Sequence, residues 1–241
     1  MANINAVNLD YIKRWEGGLS KLRGDQAAKD PVPDGSGYHT NKGVTWSTFK
    51  GLASKIGYVA TPKLFYEMPF NIWLSIYKIG FWNPMNADNI NNQIIAELLA
   101  DWAWGSGPGI AARQTQLYLI SKGYKIAADG AFGPVSTKAL NDLIKKQGAQ
   151  KTYEEIFKYR VNWIKRLGSN PAYSEFLNGW LNRLSDFYTI TKDKVTKNPE
   201  IPIGLVLIGL GALLYWGFKN GDTKKTFGVS ESQALVMQGG A

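Results

Sequence analysis

The spacing of apolar and polar positions predicts a mainly helical chain. In the first periodic segment Leu9, Ile12 and Trp15 recur at helical spacing and form one apolar stripe. Similar patterns predict further helices at 45–56, 69–80, 89–104, 110–122, 135–146, 152–167 and 171–191. Strand signals are weak, and the polar loop at 19–42, rich in Gly, Pro and Asp, leaves room for at most a small β-hairpin before Thr45.

A second apolar pattern lies near the end of the chain. Residues 201–218 carry no charge, and a helix of that length rises roughly 27 Å, close to the ~30 Å apolar core of a bilayer. We predict a transmembrane helix there, with a buried core helix as the alternative. Residues 192–200 read as a basic linker and residues 219–241 as a polar, disordered tail. The start of the chain lacks a basic region and an apolar core, so we expect no signal peptide.

The amino-acid composition excludes several kinds of catalytic and metal-binding site. The sequence has no Cys and a single His, His39, which excludes disulfides, Cys nucleophiles and zinc sites with two or three His ligands. We expect no metal and no cofactor. The formal charge of +9 favours polyanionic partners such as an acidic cell wall. Lys and Arg are spread along the chain and no nucleic-acid motif stands out, so we expect no nucleic-acid partner.

Glu16 has no local reason to follow the first helix. Gly17 and Gly18 come next and suit the helix end, whereas the partial negative charge there disfavours a carboxylate by a few tenths to about 1 kcal/mol. A carboxyl near apolar groups and a helix C-terminus holds its proton more tightly, which suits a general acid. We therefore interpret Glu16 as a candidate catalytic acid.

A second carboxylate follows in a glycine-rich loop, at Asp34. One carboxylic acid and one carboxylate flanking the scissile bond are the usual machinery of a glycosidase. The alternative for Asp34 is a residue that only forms an Asx-turn.

Four ordered motifs lie between Val7 and Leu184. They are WEGG at 15–18 followed by DGSGYHTNKGVT at 34–45; FW at 81–82 with ADNINNQ at 87–93 and DWAWGSG at 101–107; ADGAFGPVSTKAL at 128–140; and FLNGWLNR at 176–183. The first, second and fourth resemble glycoside hydrolase family 108, the N-acetylmuramidases. The third resembles a turn of peptidoglycan-binding helical modules.

The resemblance implies a lysozyme-like helical fold with a catalytic region at 1–107 and a peptidoglycan-binding-like region at 108–191. It also implies cleavage of the β-1,4 bond after N-acetylmuramic acid, with Glu16 as the acid. The stretch DGSGYHT at 34–40 also resembles the D-x-x-G-Y-x-T stretch of phage-type lysozymes, which implies that Asp34 and Thr40 position the hydrolytic water. The loop after Glu16 is longer than in the family pattern, and one extra residue separates Asp34 from Thr40. Asp25 and Asp30 therefore stay rivals for the second carboxylate.

Further residues of these motifs are candidates for binding glycan. His39 could touch substrate or be an exposed loop residue without a role. Gln93 and Asp101 lie two helical turns apart, so they could line the groove or buttress the core. Trp82 and Trp104 could stack on sugar rings or belong to the core. The full set of predicted substrate-binding residues is Tyr38, His39, Asn41, Trp82, Gln93, Asp101 and Trp104.

The sequence thus predicts a peptidoglycan muramidase tethered to a membrane through residues 201–218, of the kind that phages and prophages use as endolysins. Two alternatives stay open. One is a non-catalytic wall-binding, virion or secretion-channel protein with the same fold, and the other is a lytic transglycosylase. The terminal apolar segment could also act as a holin-like release element.

Overall fold

A computed structural model describes residues 1–196 of the chain, and these residues are mainly helical, as the pattern predicts. The α-helices are α1 (Leu9–Trp15), α2 (Trp46–Ala53), α3 (Pro62–Glu67), α4 (Phe70–Tyr77), α5 (Gln93–Ser106), α6 (Pro108–Ser121), α7 (Pro134–Gln147), α8 (Ala149–Gly168) and α9 (Leu177–Thr196). A short π-helical segment, Lys78–Trp82, continues α4.

Side-chain caps and glycines set several helix boundaries. The Thr45 hydroxyl accepts from the backbone N–H of Thr48 at the start of α2, at 3.1 Å. Gly107, at φ 83°, separates α5 from α6, and Pro108 occupies the first turn of α6. The helix α3 is not predicted by the periodic pattern, because six residues are too few to show one.

The small sheet has one strand more than the predicted hairpin. Strands β1 (Leu19–Ser20), β2 (Thr40–Asn41) and β3 (Val44–Thr45) pair antiparallel in the order β1-β2-β3. Ser20 lies opposite Thr40, and the His39 N–H donates to the Ser20 carbonyl at 3.0 Å. The extra strand β1 escapes prediction because two residues cannot display a period-two pattern.

One hydrophobic core runs through both halves of the described chain. Helix α5 lies at its centre, where Leu98 and Trp102 are fully buried. Trp102 contacts Trp163 of α8 with ring centroids 5.8 Å apart, so α8 packs directly on α5. The core therefore continues across the boundary predicted between residues 107 and 108.

The predicted basic linker starts inside a helix. Helix α9 continues to residue 196, and Lys194 donates to both oxygens of the buried Glu97 carboxylate at 3.0 and 3.1 Å. This ion pair anchors the last turns of α9 on α5, so residues 192–196 of the predicted linker lie within this helix.

Within the described residues, no helix is both long enough and apolar enough to cross a membrane. The predicted membrane span at 201–218 and the predicted tail at 219–241 lie outside those residues.

Candidate active site

Glu16 is the residue at which α1 ends. Its backbone N–H still donates to the Ile12 carbonyl at 3.0 Å, but its backbone is extended, with φ −93° and ψ 107°, so its side chain leaves the helix axis. The side chain is only 4% exposed. Its Oε1 accepts hydrogen bonds from Trp104 Nε1 at 2.5 Å and from Arg183 Nη1 at 2.7 Å. The Glu16 carboxyl is thus buried at the end of a helix and fixed by two hydrogen bonds.

Arg183 connects Glu16 to a second buried carboxylate. Its Nη2 donates to Asp101 Oδ1 at 3.0 Å, and the other Asp101 oxygen accepts from Arg160 Nη1 at 2.8 Å. Burial alone would raise the pKa of Asp101, but the two guanidinium groups outweigh burial and lower it. Glu16, Arg183, Asp101 and Arg160 therefore form a line of alternating charges, which we call the charge line.

The charge line gives Glu16 a neighbour that the sequence at the end of α1 does not predict. The sequence suggests only apolar neighbours and the helix C-terminus around the Glu16 carboxyl. The structure adds the Arg183 guanidinium, whose Nη1 lies 2.7 Å from Glu16 Oε1. Trp104 donates to the same oxygen and also fixes the carboxyl in place.

A glycine in the β2–β3 turn allows the turn to pass against Glu16. A Cβ added at Gly43 would lie 1.9 Å from Glu16 Oε2, and Gly43 has φ +76°. Trp73 fixes the turn, because its Nε1 donates a hydrogen bond to the Lys42 carbonyl at 2.9 Å. Lys42 in turn donates from Nζ to the Met68 carbonyl at 2.8 Å. The turn therefore forms one wall of the Glu16 site.

Asp34 is fully exposed, and its carboxylate is held by neighbours. Oδ1 accepts from the Ser36 backbone N–H at 2.9 Å, the Asx-turn expected as the alternative, and Oδ2 accepts from the Tyr66 hydroxyl. That hydroxyl also lies 2.8 Å from Ser36 Oγ. Hydrogen bonds from Ser36 and Tyr66 lower the pKa of Asp34. Asp34 is thus both a turn former and an oriented, ionised carboxylate.

The two rival carboxylates occupy different environments. Asp30 forms a surface ion pair with Lys50 at 2.9 Å. Asp25 is 8% exposed; its Oδ1 caps a 3-10 helix, Gln26–Lys29, by accepting from the Ala27 N–H at 2.9 Å. Burial raises the pKa of Asp25, which disfavours its charged form. Asp34, in contrast to Asp25, is exposed and has a lowered pKa.

Thr40, the first residue of β2, and the preceding residue His39 are buried together. Thr40 is 2% exposed and its Oγ1 lies 2.9 Å from His39 Nδ1. His39 is completely buried, so the alternative of an exposed loop histidine is wrong. Tyr38 is half-buried; its ring meets the Tyr66 ring edge-on at 6.1 Å, and Lys21 Nζ lies 5.1 Å from its centroid. Among these three residues, only Tyr38 offers surface to a glycan directly.

Several predicted glycan contacts have structural partners instead. Asn41 is 2% exposed and its Nδ2 donates to the Phe65 and Tyr66 carbonyls at 2.6 and 3.0 Å, which ties β2 to α3. Trp82 is fully buried and donates from Nε1 to Asp88 at 2.7 Å. These contacts leave neither side chain a surface that a sugar could reach in this conformation.

The helix α5 candidates also face inward. The Gln93 side chain exchanges hydrogen bonds with the backbone of Asn3, at 2.7 and 3.1 Å, so it anchors the start of the chain. Asp101 is 1% exposed within the charge line, and Trp104 is 1% exposed against Glu16. The structure favours the buttressing interpretation for Gln93 and Asp101, and it makes Trp104 a residue that positions Glu16.

Residues that the sequence interpretation does not single out complete the site. Tyr66 holds Asp34, and Arg160 and Arg183 hold Asp101 and Glu16. Arg183 is the last residue of the FLNGWLNR motif, so that motif could have pointed to it as a site residue. No local sequence pattern distinguishes Tyr66 or Arg160 as site residues. Among the described residues, no group of three or more His, Cys, Asp or Glu side chains could hold a metal ion.

Two family models match adjoining parts of the chain. The model described as Glycosyl hydrolase 108 matches residues 9–107, and the model described as Predicted Peptidoglycan domain matches residues 110–185. The first match includes Glu16, Asp34 and Thr40, and the second includes Arg160 and Arg183. The glycosyl hydrolase 108 domain indicates a protein of the class of lysozyme-like peptidoglycan hydrolases, and peptidoglycan is the substrate that both matches support.

A solved structure shows the same fold. The chain is similar to SagA of Brucella abortus, with a TM-score of 0.57 and 20% sequence identity, over 77% of this chain and 91% of that one. Likeness at this identity establishes the fold. None of the curated protein sequences matches the chain.

Proposed function

We propose that the protein is an N-acetylmuramidase that hydrolyses the β-1,4 bond between N-acetylmuramic acid and N-acetylglucosamine. The observation that carries the proposal is the Glu16 carboxyl, buried at the end of α1 and fixed through Oε1 by Trp104 and Arg183. A fixed carboxyl donates its proton in a defined direction, as general acid catalysis requires. The glycosyl hydrolase 108 match supports the reaction class.

In this proposal Glu16 gives its proton to the glycosidic oxygen as the bond to the anomeric carbon breaks. Both hydrogen bonds named above end on Oε1, so we assign the proton transfer to Oε2, the oxygen that faces the Gly43 backbone. Asp34 and Thr40 orient the water that attacks the anomeric carbon, and Asp34 accepts its proton. The exposure of Asp34 and the hydrogen bonds from Ser36 and Tyr66 that orient its carboxylate support this role.

The decisive experiment is mass spectrometry of the fragments released from purified sacculi. Products that end in reducing N-acetylmuramic acid are expected. Anhydro-muramic products would instead identify a lytic transglycosylase, and sacculi that bind the protein without releasing fragments would identify a non-catalytic wall binder.

Glu16→Gln tests the assignment of the acid. This substitution keeps the shape of the side chain but removes the transferable proton, so we expect turbidity loss of cell walls to slow by at least about 100-fold. The thermal unfolding midpoint should show that the variant is folded. Full activity in a folded Glu16→Gln protein would rule out Glu16 as the acid.

We further propose that residues 201–218 anchor the enzyme in a membrane, as in a phage or prophage endolysin. The support is the uncharged, apolar sequence of this segment, flanked by lysines on both sides. Introducing Arg at both Leu207 and Leu210 should move the full-length protein from the carbonate-resistant membrane fraction to the supernatant. An unchanged distribution of the variant would contradict membrane insertion of this segment.

A further inference from the structure

We propose that His39 fixes the direction of the Thr40 O–H bond, so that Thr40 can only accept a hydrogen bond from the hydrolytic water. The inference rests on the proposed function, in which Thr40 and Asp34 orient that water. It makes His39 a positioning residue that acts through Thr40, not a residue that touches the substrate.

The geometry places the imidazole between two defined partners. His39 Nε2 lies 3.2 Å from the Leu22 carbonyl oxygen, and Nδ1 lies 2.9 Å from Thr40 Oγ1. His39 is 0% exposed and Thr40 is 2% exposed, so water does not compete freely for either contact. Both ring nitrogens are therefore committed to protein atoms.

The chemistry of the partners assigns the protons. A carbonyl oxygen only accepts, so Nε2 must carry the hydrogen in its contact with Leu22. In a neutral imidazole the other nitrogen, Nδ1, is then an acceptor. The Thr40 hydroxyl has one hydrogen, and it must point at Nδ1. What Thr40 has left for a water molecule is its lone pairs.

An acceptor-only Thr40 gives the water a useful orientation. The ionised Asp34 carboxylate is also an acceptor, so a water that donates one hydrogen to each of these residues turns its oxygen lone pairs away from both. Those lone pairs are the nucleophile that the anomeric carbon needs. If Thr40 donated instead, its hydrogen would occupy one of the lone pairs.

Asp25 is a neighbouring acidic residue whose charge interacts with the His39 ring. Burial raises the pKa of the Asp25 carboxyl. Asp25 is therefore the residue to remove when its influence on His39 is tested.

The first test reads the tautomer directly. His39 is the single histidine of the sequence, so the imidazole signals of the full-length, ¹⁵N-histidine-labelled protein need no assignment. Two-bond ¹H–¹⁵N spectra at neutral pH should show a neutral ring with hydrogen on Nε2, in the wild type and in Asp25→Asn. Hydrogen on Nδ1, or on both nitrogens, in the wild type would overturn the proposal whether or not the protein is a muramidase.

The second test uses two variants, each of which keeps one of the two hydrogen-bonding positions of the imidazole. His39→Asn places an acceptor near the Nδ1 position but loses the contact with Leu22, and His39→Gln does the reverse. We expect kcat to fall about tenfold in His39→Gln, to fall clearly less in His39→Asn, and KM to change little in either. A role limited to bracing the loop at Leu22 predicts the opposite order, and equal kcat values would also refute the proposal.

A third comparison tests whether the effect of His39 on kcat depends on Thr40. In a Thr40→Val background the hydroxyl is absent, so the His39→Asn and His39→Gln changes should give equal residual rates. A surviving difference would mean that His39 acts by another route. Absence of any released muropeptide from the wild type would reject the proposed function, a result separate from the imidazole spectrum.

Discussion

At the scale of single residues, the site depends on how closely the β2–β3 turn approaches Glu16. The approach is possible because position 43 has no Cβ, and the same position has a positive φ that glycine adopts without strain. The motif around Gly43 therefore has a physical reason for its glycine: the residue leaves room for the carboxyl group.

Gly43→Ala should disable the enzyme. The new Cβ would lie 1.9 Å from Glu16 Oε2, so the carboxyl or the turn must shift, and a shift of about 1 Å at a catalytic group can lower kcat by about 100-fold. The matched control is Gly57→Ala, because Gly57 has φ +81° but nothing within 4 Å of an added Cβ. Both variants carry the backbone strain, and only Gly43→Ala collides with Glu16. Equal kcat values for the two variants would show that the collision is harmless.

Tyr66→Phe should change how activity depends on pH. The Tyr66 and Ser36 hydrogen bonds lower the pKa of Asp34, so loss of the Tyr66 hydroxyl should raise that pKa. A base with a raised pKa stays protonated to higher pH, so the acidic limb of kcat/KM should move to higher pH. Tyr38→Phe is the control, since the Tyr38 ring contacts Tyr66. An acidic limb that does not move in Tyr66→Phe would argue against Asp34 as the base.

At the scale of secondary-structure elements, the charge line is assembled from four helices. Glu16 follows α1, Asp101 lies on α5, Arg160 on α8 and Arg183 on α9. Buried charges of this kind are favourable only while each is paired, because the desolvation cost of an unpaired charge is several kcal/mol. The line therefore couples the position of the Glu16 carboxyl to helix packing.

Arg160→Met should destabilise the fold strongly. It removes one partner of the fully buried Asp101, and breaking a buried pair typically costs about 3–5 kcal/mol of unfolding free energy. The control is Lys138→Met, which removes an exposed i,i+4 pair with Asp142 and should change the urea midpoint little. A small effect of Arg160→Met on the urea midpoint would mean that Asp101 finds another partner or takes up a proton.

The candidate residues proposed from the sequence lie close together in the chain. Glu16, Asp34 and Thr40 stand in one motif, so their types and spacing could be interpreted locally. Tyr66, Arg160 and Arg183 reach the site only through tertiary packing, and nothing in a local pattern tells a buried arginine from one on a solvated helix face. For the same reason the burial of Trp82 and Asn41 became visible only in the folded chain.

At the scale of the whole molecule, the two matched segments share one core. Helix α5 belongs to the first segment, yet α8 and α9 of the second segment cover it and supply both arginines of the charge line. The boundary between residues 107 and 108 therefore separates two family matches, but it does not separate two hydrophobic cores.

Residues 1–107 alone should not form a stable domain. Truncation there would expose the apolar face of α5 to water and remove the arginines that pair with Glu16 and Asp101. We expect a single calorimetric unfolding transition for residues 1–196 and no cooperative transition for residues 1–107. Two separate transitions in the longer protein would show that the segments fold independently.

The position of Arg183 also has a consequence for the order of synthesis. A ribosome makes the candidate acid first and the guanidinium that holds it 167 residues later. The nascent chain therefore carries Glu16 without its partner until α9 has emerged and docked. The candidate acid is therefore fixed in its site only once a helix much later in the chain has folded against it.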